Sequence, residues 1–262
     1  MRALSIAATG MQAQQTNVEV ISNNIANMNT TAYSRRRAEF NDLLYQNMKR
    51  QGSATSDTGT VVPAGIQIGL GVRTAAVYRI TEQGSLTSTD NTLDLAIEGK
   101  GYFQITLPSG DTAYTRAGSF QLSSTGQIVT NDGYTVQPGI TIPTNATSVT
   151  VNSSGEVWVK IDGQTTQSNV GALQTATFIN EAGLEAIGDN LYLETTASGT
   201  PSSGTPDTTG FGSILQGYLE TSNVNVVTEI TDLISAQRAY EMNSKVVQTS
   251  DDMLATVSNM KS

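Results

Sequence analysis

Residues 4–28 read LSIAATGMQAQQTNVEVISNNIANM, and the spacing of their apolar side chains predicts the structure of this end of the chain. Alternating intervals of three and four residues separate Leu4, Ala7, Met11, Gln14, Val18, Ile21, Ile25 and Met28. These intervals match the a and d positions of a heptad repeat, so they predict an amphipathic α-helix with one polar interruption in its stripe. We expect the helix to end near residues 27–31, because Asn and Thr side chains compete for backbone hydrogen bonds.

The last forty residues carry the same pattern. Its positions, led in by Val226 and Ile230, are Leu233, Ala236, Tyr240, Asn243, Val247, Ser250, Leu254 and Val257. A helix over residues 226–260 would be about 50 Å long, which is too long for burial inside a small core. Two matched stripes at opposite ends predict that the terminal helices pair with each other. Since several core positions are small or polar, the pair would be weakly stabilised, which favours association with further copies.

The middle of the chain has no helical period and many turn signals. Residues 102–107 alternate between polar and apolar side chains, break at the Pro-Ser-Gly-Asp stretch of residues 108–111, and resume at 112–115. This pattern predicts a β-hairpin. Short strands between further glycine turns predict a central antiparallel β domain over residues 96–195.

The predicted fold class is therefore α+β: an elongated molecule with terminal helices paired as a coiled-coil-like base and a central all-β domain. The terminal helical domain comprises residues 1–45 and 222–262. Residues 46–95 and 196–221 form extended connectors, because 51–71 and 197–212 are rich in Gly, Ser and Thr and lack a clear period.

Composition excludes several functions. Among 262 residues there are 14 Lys plus Arg, 23 Asp plus Glu, and no His or Cys. His- or Cys-dependent catalysis, His or Cys zinc sites, iron–sulfur clusters and disulfides are thus excluded. The formal net charge of −9 argues against general nucleic-acid binding, which requires a basic surface.

Local candidates for chemistry do not indicate an enzyme, a metal site or a bound cofactor. Asp94 and Glu98 lie on a predicted strand, where solvated carboxylates are more common than an acid–base pair. The glycines of residues 65–71 are not followed by the Lys and Ser or Thr of a phosphate-binding loop. Residues 35–37 form a cluster of three arginines, for which we favour a role between subunits, since residues 101–220 hold ten acidic and only two basic residues.

No apolar run reaches the roughly 18 residues typical of a transmembrane helix. The first residues also lack the apolar stretch and cleavage site of a secretory signal peptide. We expect either a cytoplasmic protein or one exported without a cleaved signal.

Several motifs, in chain order, resemble those of the bacterial flagellar rod and hook protein family. They are NNIANMNTTAYSR (23–35), DLAIEGKGYF (94–103), YTRAGSF (114–120), ETSNVNVV (220–227) and QRAYEMNSK (237–245). The signature residues are Asn24, Ala26, Asn27, Asn29, Thr30, Tyr33, Arg35, Ser222, Asn223, Asn225, Gln237, Arg238, Ala239 and Tyr240. One departure is Ala32, where the family often has Gly. A turn that needs a positive φ there would be strained by alanine.

The resemblance implies a structural subunit of the basal body. In this family the terminal helices form an inner tube, the β domain lies outside it, and many copies stack helically into a hollow shaft across the periplasm. The assembly residues would be Leu4, Met11, Val18, Ile21, Ile25, Ile230, Leu233, Tyr240, Val247 and Leu254. Implied partners are further copies, proximal rod proteins, the hook protein, the periplasmic and outer-membrane ring proteins and the flagellar type III export apparatus. No cofactor, nucleic acid or membrane insertion is implied.

Residues 42–46, residues 63–73 and a length below that of a typical hook protein favour a rod subunit within the family. Two alternatives remain open. One is another axial member, either a proximal rod or a hook protein. The other is a secreted β-domain enzyme or carbohydrate-binding protein with helical ends.

Overall fold

A computed structural model describes residues 2–49, 64–164 and 166–260. Within these residues there is one α-helix near each end of the chain, and the structure between them is mostly β, which confirms the α+β class. The described residues form two compact units. We call the one within 1–26, 36–79 and 225–262 the helical unit, and the one made of 27–35 and 80–224 the β unit.

The helical unit contains both helices and two β-ladders. Its elements are α1 (Arg2–Ala26), α2 (Val226–Asn259), β1 (Arg36–Asp42), β2 (Tyr45–Lys49), β3 (Ile66–Gly69) and β4 (Val72–Arg79). Strand β1 pairs antiparallel with β4, and β2 pairs antiparallel with β3. Helix α1 contacts α2, β1 and β4. Helix α1 ends at Ala26 and a turn begins at Asn27, close to the predicted end of the first helix.

The β unit is built from short strands in antiparallel pairs. They are β5 (Leu86–Ser88), β6 (Leu95–Glu98), β7 (Tyr102–Thr106), β8 (Thr112–Thr115), β9 (Gln121–Leu122), β10 (Ile128–Val129), β11 (Thr135–Val136), β12 (Ala146–Val151), β13 (Glu156–Ile161), β14 (Ser168–Ala172), β15 (Thr175–Thr177), β16 (Glu185–Gly188), β17 (Leu191–Leu193), β18 (Ser202–Gly204), β19 (Ser213–Gln216) and β20 (Tyr218–Glu220). The main sheet runs β16-β17-β8-β7-β11-β10-β9, and β15 pairs with both β7 and β18. Strands β12-β13-β14 form a second sheet, and β6–β19 and β5–β20 form separate pairs.

Strands β7 and β8 form the predicted hairpin, with Gln104 opposite Tyr114. Successive side chains of a strand point to opposite faces, so this hairpin serves two cores. Phe103 and Ile105 enter the larger core, which also holds Phe120 and Val157. Tyr102 and Tyr114 enter a smaller aromatic core with Phe178, Leu184 and Tyr192. Both faces of the hairpin are therefore buried, as its nearly continuous burial shows.

Within residues 197–212, Ser202–Gly204 forms a strand that the sequence did not predict, because its backbone groups pair with β15. One expectation from the sequence is wrong. Asp94 was expected to be solvated like Glu98. Its carboxylate is instead buried and accepts hydrogen bonds from Thr89 Oγ1 at 2.6 Å and Asn91 Nδ2 at 3.0 Å. Residues 50–63, most of the predicted 51–71 loop, lie outside the described residues.

Candidate assembly interface

The buried line of α2 in the helical unit consists of small and polar residues at heptad spacing. Glu229, Ala236 and Ser250 are buried, and Asn243 is half-buried. Each lies seven residues from the next, as expected for one line along a helix that faces a neighbouring helix. Small residues allow helix axes to approach closely, since the axial separation depends on the side chains at the contact. The most buried line of α2 therefore consists of residues that are small or polar rather than large and apolar.

Two contacts define how α1 lies along α2. Asn24 Nδ2 donates a hydrogen bond to Glu229 Oε2 at 3.1 Å. Fourteen residues earlier on α1, a β-carbon placed on Gly10 would lie 3.1 Å from Nδ2 of Asn243, which is fourteen residues later on α2. Residue numbers therefore decrease along α1 as they increase along α2, so the two helices are antiparallel. In this register Ser250 lies opposite Ala3, and the following turns of α2 have no counterpart on α1.

Most of the large apolar residues of α2 are exposed. Val227, Ile230, Ile234, Tyr240, Met242, Val246, Met253, Leu254, Val257 and Met260 are all exposed. Every residue from 251 to 260 is exposed, including Val257 at 63% and Met260 at 82%. An exposed apolar surface of this extent indicates an interaction site.

The predicted assembly residues divide by exposure. On α1, Ile21 is buried, whereas Leu4, Met11, Val18 and Ile25 are half-buried. On α2, Leu233 and Val247 are half-buried, whereas Ile230, Tyr240 and Leu254 are exposed. The structure therefore places these residues on the two helices of one unit, but it does not bring them into one closed apolar seam.

Asn24, from the first signature, forms hydrogen bonds to the backbone at the start of β1 within the helical unit. Its Nδ2 donates to the Arg36 carbonyl at 2.9 Å, and its Oδ1 accepts from the Arg36 N–H at 2.8 Å. The side chain is 1% exposed, so these bonds are shielded from water. The amide side chain thereby satisfies both backbone groups of one strand residue, as a neighbouring strand would.

The remaining residues of the first signature form a turn in the β unit. Thr30 donates hydrogen bonds from its N–H and its hydroxyl to Asn27. Ala32 has φ of 55°, the strained conformation considered above, and its N–H donates to the Glu220 carbonyl at 2.8 Å. The Tyr33 carbonyl accepts from the Asn223 N–H at 3.3 Å. Ala26, the last residue of α1 in the helical unit, and Asn29 are exposed.

Asn223 is the counterpart of this turn in the second signature. Its Oδ1 accepts from the Arg35 N–H at 2.7 Å, while its Nδ2 donates to the carbonyls of Ile80 at 3.0 Å and Glu82 at 2.8 Å. Three separate segments of the β unit thus meet at one amide. Ser222 Oγ accepts a longer bond from the Val224 N–H.

Asn225 begins the helical part of the second signature. It is the N-cap of α2, accepting from the N–H groups of Val227 and Thr228. This supplies partners for two otherwise unpaired donors at the helix start. Further along α2, Gln237, Arg238 and Tyr240 are exposed and Ala239 is half-buried. The signature therefore includes both backbone-binding asparagines and accessible side chains.

The three consecutive arginines do not form one basic patch. Arg35 makes an ion pair with Glu82 at 3.3 Å in the β unit. Arg36 and Arg37 are neighbours on β1, so their side chains point to opposite faces of the ladder. The sequence suggested a cluster because adjacency along a strand does not place side chains together.

Sequence reasoning missed the role of Arg116. This side chain donates to Glu220 Oε2 at 2.8 Å, to the carbonyls of Gly99 and Gly101 at 2.9 Å each, and to the Ile97 carbonyl at 3.2 Å. The motif that contains Arg116 was visible, but its carboxylate acceptor, Glu220, lies 104 residues later in the chain. Glu220 is also buried and accepts from the Gly84 N–H at 3.1 Å, so Arg116 and Glu220 join several loops of the β unit.

The β2–β3 ladder of the helical unit exposes a second apolar surface. Leu44, Tyr45, Met48, Ile66 and Leu70 are exposed there, with Leu44 at 83%. A two-stranded ladder is marginally stable by itself, so this surface favours a contact with another molecule. The Tyr45 phenol forms a hydrogen bond with the Asp42 carboxylate. This bond, and the negative charge of Asp42, raise the pKa of the phenol.

Neither described helix is long and apolar enough to cross a membrane. Within residues 2–49, 64–164 and 166–260, no group of three or more acidic side chains is placed to hold a metal ion.

Comparison with known proteins assigns the chain to a class of flagellar axial proteins. Residues 4–33 match the model described as flagella basal body rod protein. Residues 96–159 match the D1 domain of the flagellar hook proteins FlgE/F/G, and residues 215–260 match the C-terminal region of the flagellar basal body rod FlgEFG proteins. The matched segments include α1, the β7–β8 hairpin and α2.

Full-length relatives narrow the class. The chain is 62% identical to a flagellar basal-body rod protein FlgG from Caulobacter vibrioides and 55% identical to one from Agrobacterium fabrum, over all of both chains in each case. It is 41% identical to the protein of that name from Bacillus subtilis, over all of this chain and 99% of the relative. The chain belongs to the FlgG family of flagellar basal-body rod proteins.

Proposed function

We propose that this chain is a structural subunit of the distal part of the flagellar basal-body rod. Many copies polymerise helically into a hollow shaft that transmits torque from the motor to the hook. The names of the full-length relatives support the rod assignment. Residues 42–46 and 63–73 favour the distal rod over the proximal rod and hook alternatives.

The observation that carries this proposal is the accessible apolar surface of α2. Its exposed large residues extend from Val227 at one end of the helix to Met260 beyond the other. Burial of apolar area stabilises a contact by roughly 25 cal/mol per Å². Exposing this row of apolar side chains to water is unfavourable for an isolated chain. In a polymer, neighbouring copies would bury the row and so stabilise the contact between subunits.

We assign different roles in the proposed polymer to three parts of the sequence. The terminal helical domain, residues 1–45 and 222–262, pairs as a coiled-coil-like base and forms the inner tube. The central β domain, residues 96–195, lies outside the tube. Residues 46–95 and 196–221 connect these layers. The antiparallel contact of Asn24 with Glu229 supports the pairing of the helices.

Stiffness of the shaft arises in part from the segment around β2 and β3. The exposed side chains of Leu44, Tyr45 and Met48 support a contact of this ladder with a neighbouring copy. Deleting residues 51–71, most of which lie outside the described residues, should give a more flexible, hook-like polymer. A straight rod of unchanged stiffness after this deletion would contradict this role.

The proposed partners follow the order of the rod. They are proximal rod proteins below, hook protein above, periplasmic and outer-membrane rings around the shaft, and the flagellar type III apparatus that exports the subunits without a cleaved signal peptide. The protein acts mechanically rather than as an enzyme.

Electron microscopy of basal bodies tests the proposal. A strain that lacks the gene should produce rods that stop before the outer ring, and the full-length chain should restore them. A chain truncated before residue 226 should fail to restore them, because it lacks α2. Complete rods without hooks in the deletion strain would instead identify a hook subunit, and rods lost at the inner membrane a proximal one.

A further inference from the structure

A groove lies between the two helices of the helical unit, on one side of their buried line. It has a volume of about 340 Å³ and is lined by Gln15, Val18, Glu19, Gln237, Tyr240 and Glu241. Val18 and Tyr240 supply apolar surface, and Tyr240 is 43% exposed. Gln237 and Tyr240 belong to the second signature, so a motif that marks the family includes accessible side chains at this groove.

The end of α2 presents an apolar ridge. Met253, Val257 and Met260 are four and three residues apart, so they lie on one face of the helix. All three are exposed, and this face continues the line of Asn243 and Ser250 past the start of α1. We call these three residues the terminal ridge.

The terminal ridge cannot occupy the groove of its own chain. Val257 follows Gln237 by twenty residues on the same continuous helix. At about 1.5 Å per residue, about 30 Å separates them. Within the chain, the antiparallel register also leaves the ridge without an opposing turn of α1. Within the described part of the chain, the three side chains of the ridge are left exposed.

We propose that the terminal ridge of one copy docks in the α1–α2 groove of a second copy. This inference rests on the proposed function and names the surfaces that one step of the polymer uses. A ridge of side chains at i, i+4 and i+7 in an apolar groove is a common mode of helix recognition. Methionines suit such a contact, because their unbranched side chains adapt to irregular surfaces.

Charge is compatible with this occupant. The groove carries Glu19 and Glu241, so an acidic ridge would be repelled. Asp251 lies two residues before Met253 and therefore on another side of the helix. The terminal ridge itself is uncharged, which avoids like-charge contact at the rim.

The contact is heterologous, since ridge and groove are different surfaces of one molecule. When the ridge of one copy docks in the groove of a second, the groove of the first copy and the ridge of the second remain available for further copies. Heterologous contacts that do not close into a ring generate open helical polymers. The groove and ridge therefore account for growth of a shaft, whereas a self-complementary patch would give closed dimers.

Cysteine cross-linking in assembled rods tests this contact, because the natural chain has no Cys. The test chain carries Gln237→Cys and Val257→Cys, and the matched control carries Gln237→Cys and Asp251→Cys. Both pairs are too far apart on α2 for a disulfide within one chain, which requires Cα atoms less than about 7 Å apart. We expect oxidation to give a ladder of covalent multimers for the test pair, at least about tenfold stronger than for the control.

Equal ladders for both pairs, or intact rods with no ladder for the test pair, would overturn the docking inference while leaving the proposed function in place. Loss of the proposed function itself would appear as a wild-type chain that is absent from rods. If the double variant does not assemble, mixed rods of Gln237→Cys and Val257→Cys chains provide the same measurement. In addition, Val257→Glu should reduce incorporation into rods, whereas Asp251→Glu should not; equal incorporation would contradict the inference.

Discussion

The amide of Asn24 donates a hydrogen bond of 3.1 Å to the carboxylate of Glu229, which lies 205 residues later in the chain. Both side chains are buried in the helical unit. The same amide group binds both backbone polar groups of Arg36. One side chain thus relates α1, α2 and the first strand. A buried polar contact of this kind specifies register in helix pairs, since any shift leaves polar groups unpaired.

Asn24→Ala should lower the free energy of unfolding of the helical unit by about 2 kcal/mol, because it leaves the Arg36 N–H and the Glu229 carboxylate without this partner. Urea denaturation followed by far-UV circular dichroism measures the change. Ser22→Ala, at an exposed position of the same helix, is the control and should stay within about 0.5 kcal/mol of wild type. Equal effects of the two substitutions would contradict the role of Asn24.

Replacing Arg116 should strongly destabilise the β unit. Arg116→Met removes the ion-pair partner of buried Glu220 and the side-chain donor to the carbonyls of Gly99 and Gly101. Breaking one side of a buried ion pair costs about 3–5 kcal/mol. Thermal unfolding of the purified chain measures this loss. The double variant Arg116→Met with Glu220→Gln should recover part of it, because no unpaired charge remains; a double variant as unstable as the sum of both singles would count against the pair.

Ala32→Gly should stabilise the β unit by about 0.5–1 kcal/mol. Ala32 has φ of 55°, where a β-carbon is strained and glycine is not. The turn keeps its hydrogen bond to Glu220, since only the backbone N–H donates it. Chemical denaturation compares this variant with Ala38→Gly on β1, where the same substitution in a strand should be destabilising. A loss of stability in Ala32→Gly would refute the strain argument.

The stability of the β unit should fall at alkaline pH through Tyr114. Burial of the phenol, and to a lesser extent the charge of Glu194, raises its pKa above the ordinary value of 10.0. The unfolded chain therefore releases this proton first as pH rises. The contribution is complete below about pH 10 and is lost as pH rises through the folded-state pKa.

Tyr114→Phe removes this titration while keeping the ring in contact with Phe178, whose centroid lies 4.8 Å away. Urea unfolding between about pH 9 and pH 11 should therefore show a shallower decline for the variant than for wild type. Tyr134→Phe, at a half-buried tyrosine, serves as the comparison. Parallel pH profiles of Tyr114→Phe and wild type would exclude the proposed origin of the decline.

The β7–β8 hairpin was predictable because its signals are local. Alternating side chains and the turn at residues 108–111 specify the pairing of adjacent strands. The helices were predictable for the same reason, since a heptad stripe lies within each segment. In contrast, β18 follows a polar, glycine-rich stretch, and only β15 makes it a strand. Local propensity does not include a partner that lies elsewhere in the chain.

The signatures identified the family, but their chemistry lies in long-range contacts. Asn24, Asn223 and Arg116 bind backbone groups of residues that lie 12, 141 and 15 positions away in the sequence. No periodicity links Arg116 to Glu220. The arginines at 35–37 show the opposite case, in which sequence neighbours are separated in space because a strand alternates its faces.

By itself the sequence determined the two helices, the antiparallel hairpin, the absence of His and Cys chemistry and the family. These depend on composition, on periodicity within one segment and on motifs. Only the tertiary structure decided that α2 places small and polar residues against α1 and leaves large apolar ones accessible. Which face of α2 is buried depends on the register of the two helices. That register is specified by polar and steric contacts between residues far apart in the sequence, such as Asn24 and Glu229, which are 205 positions apart.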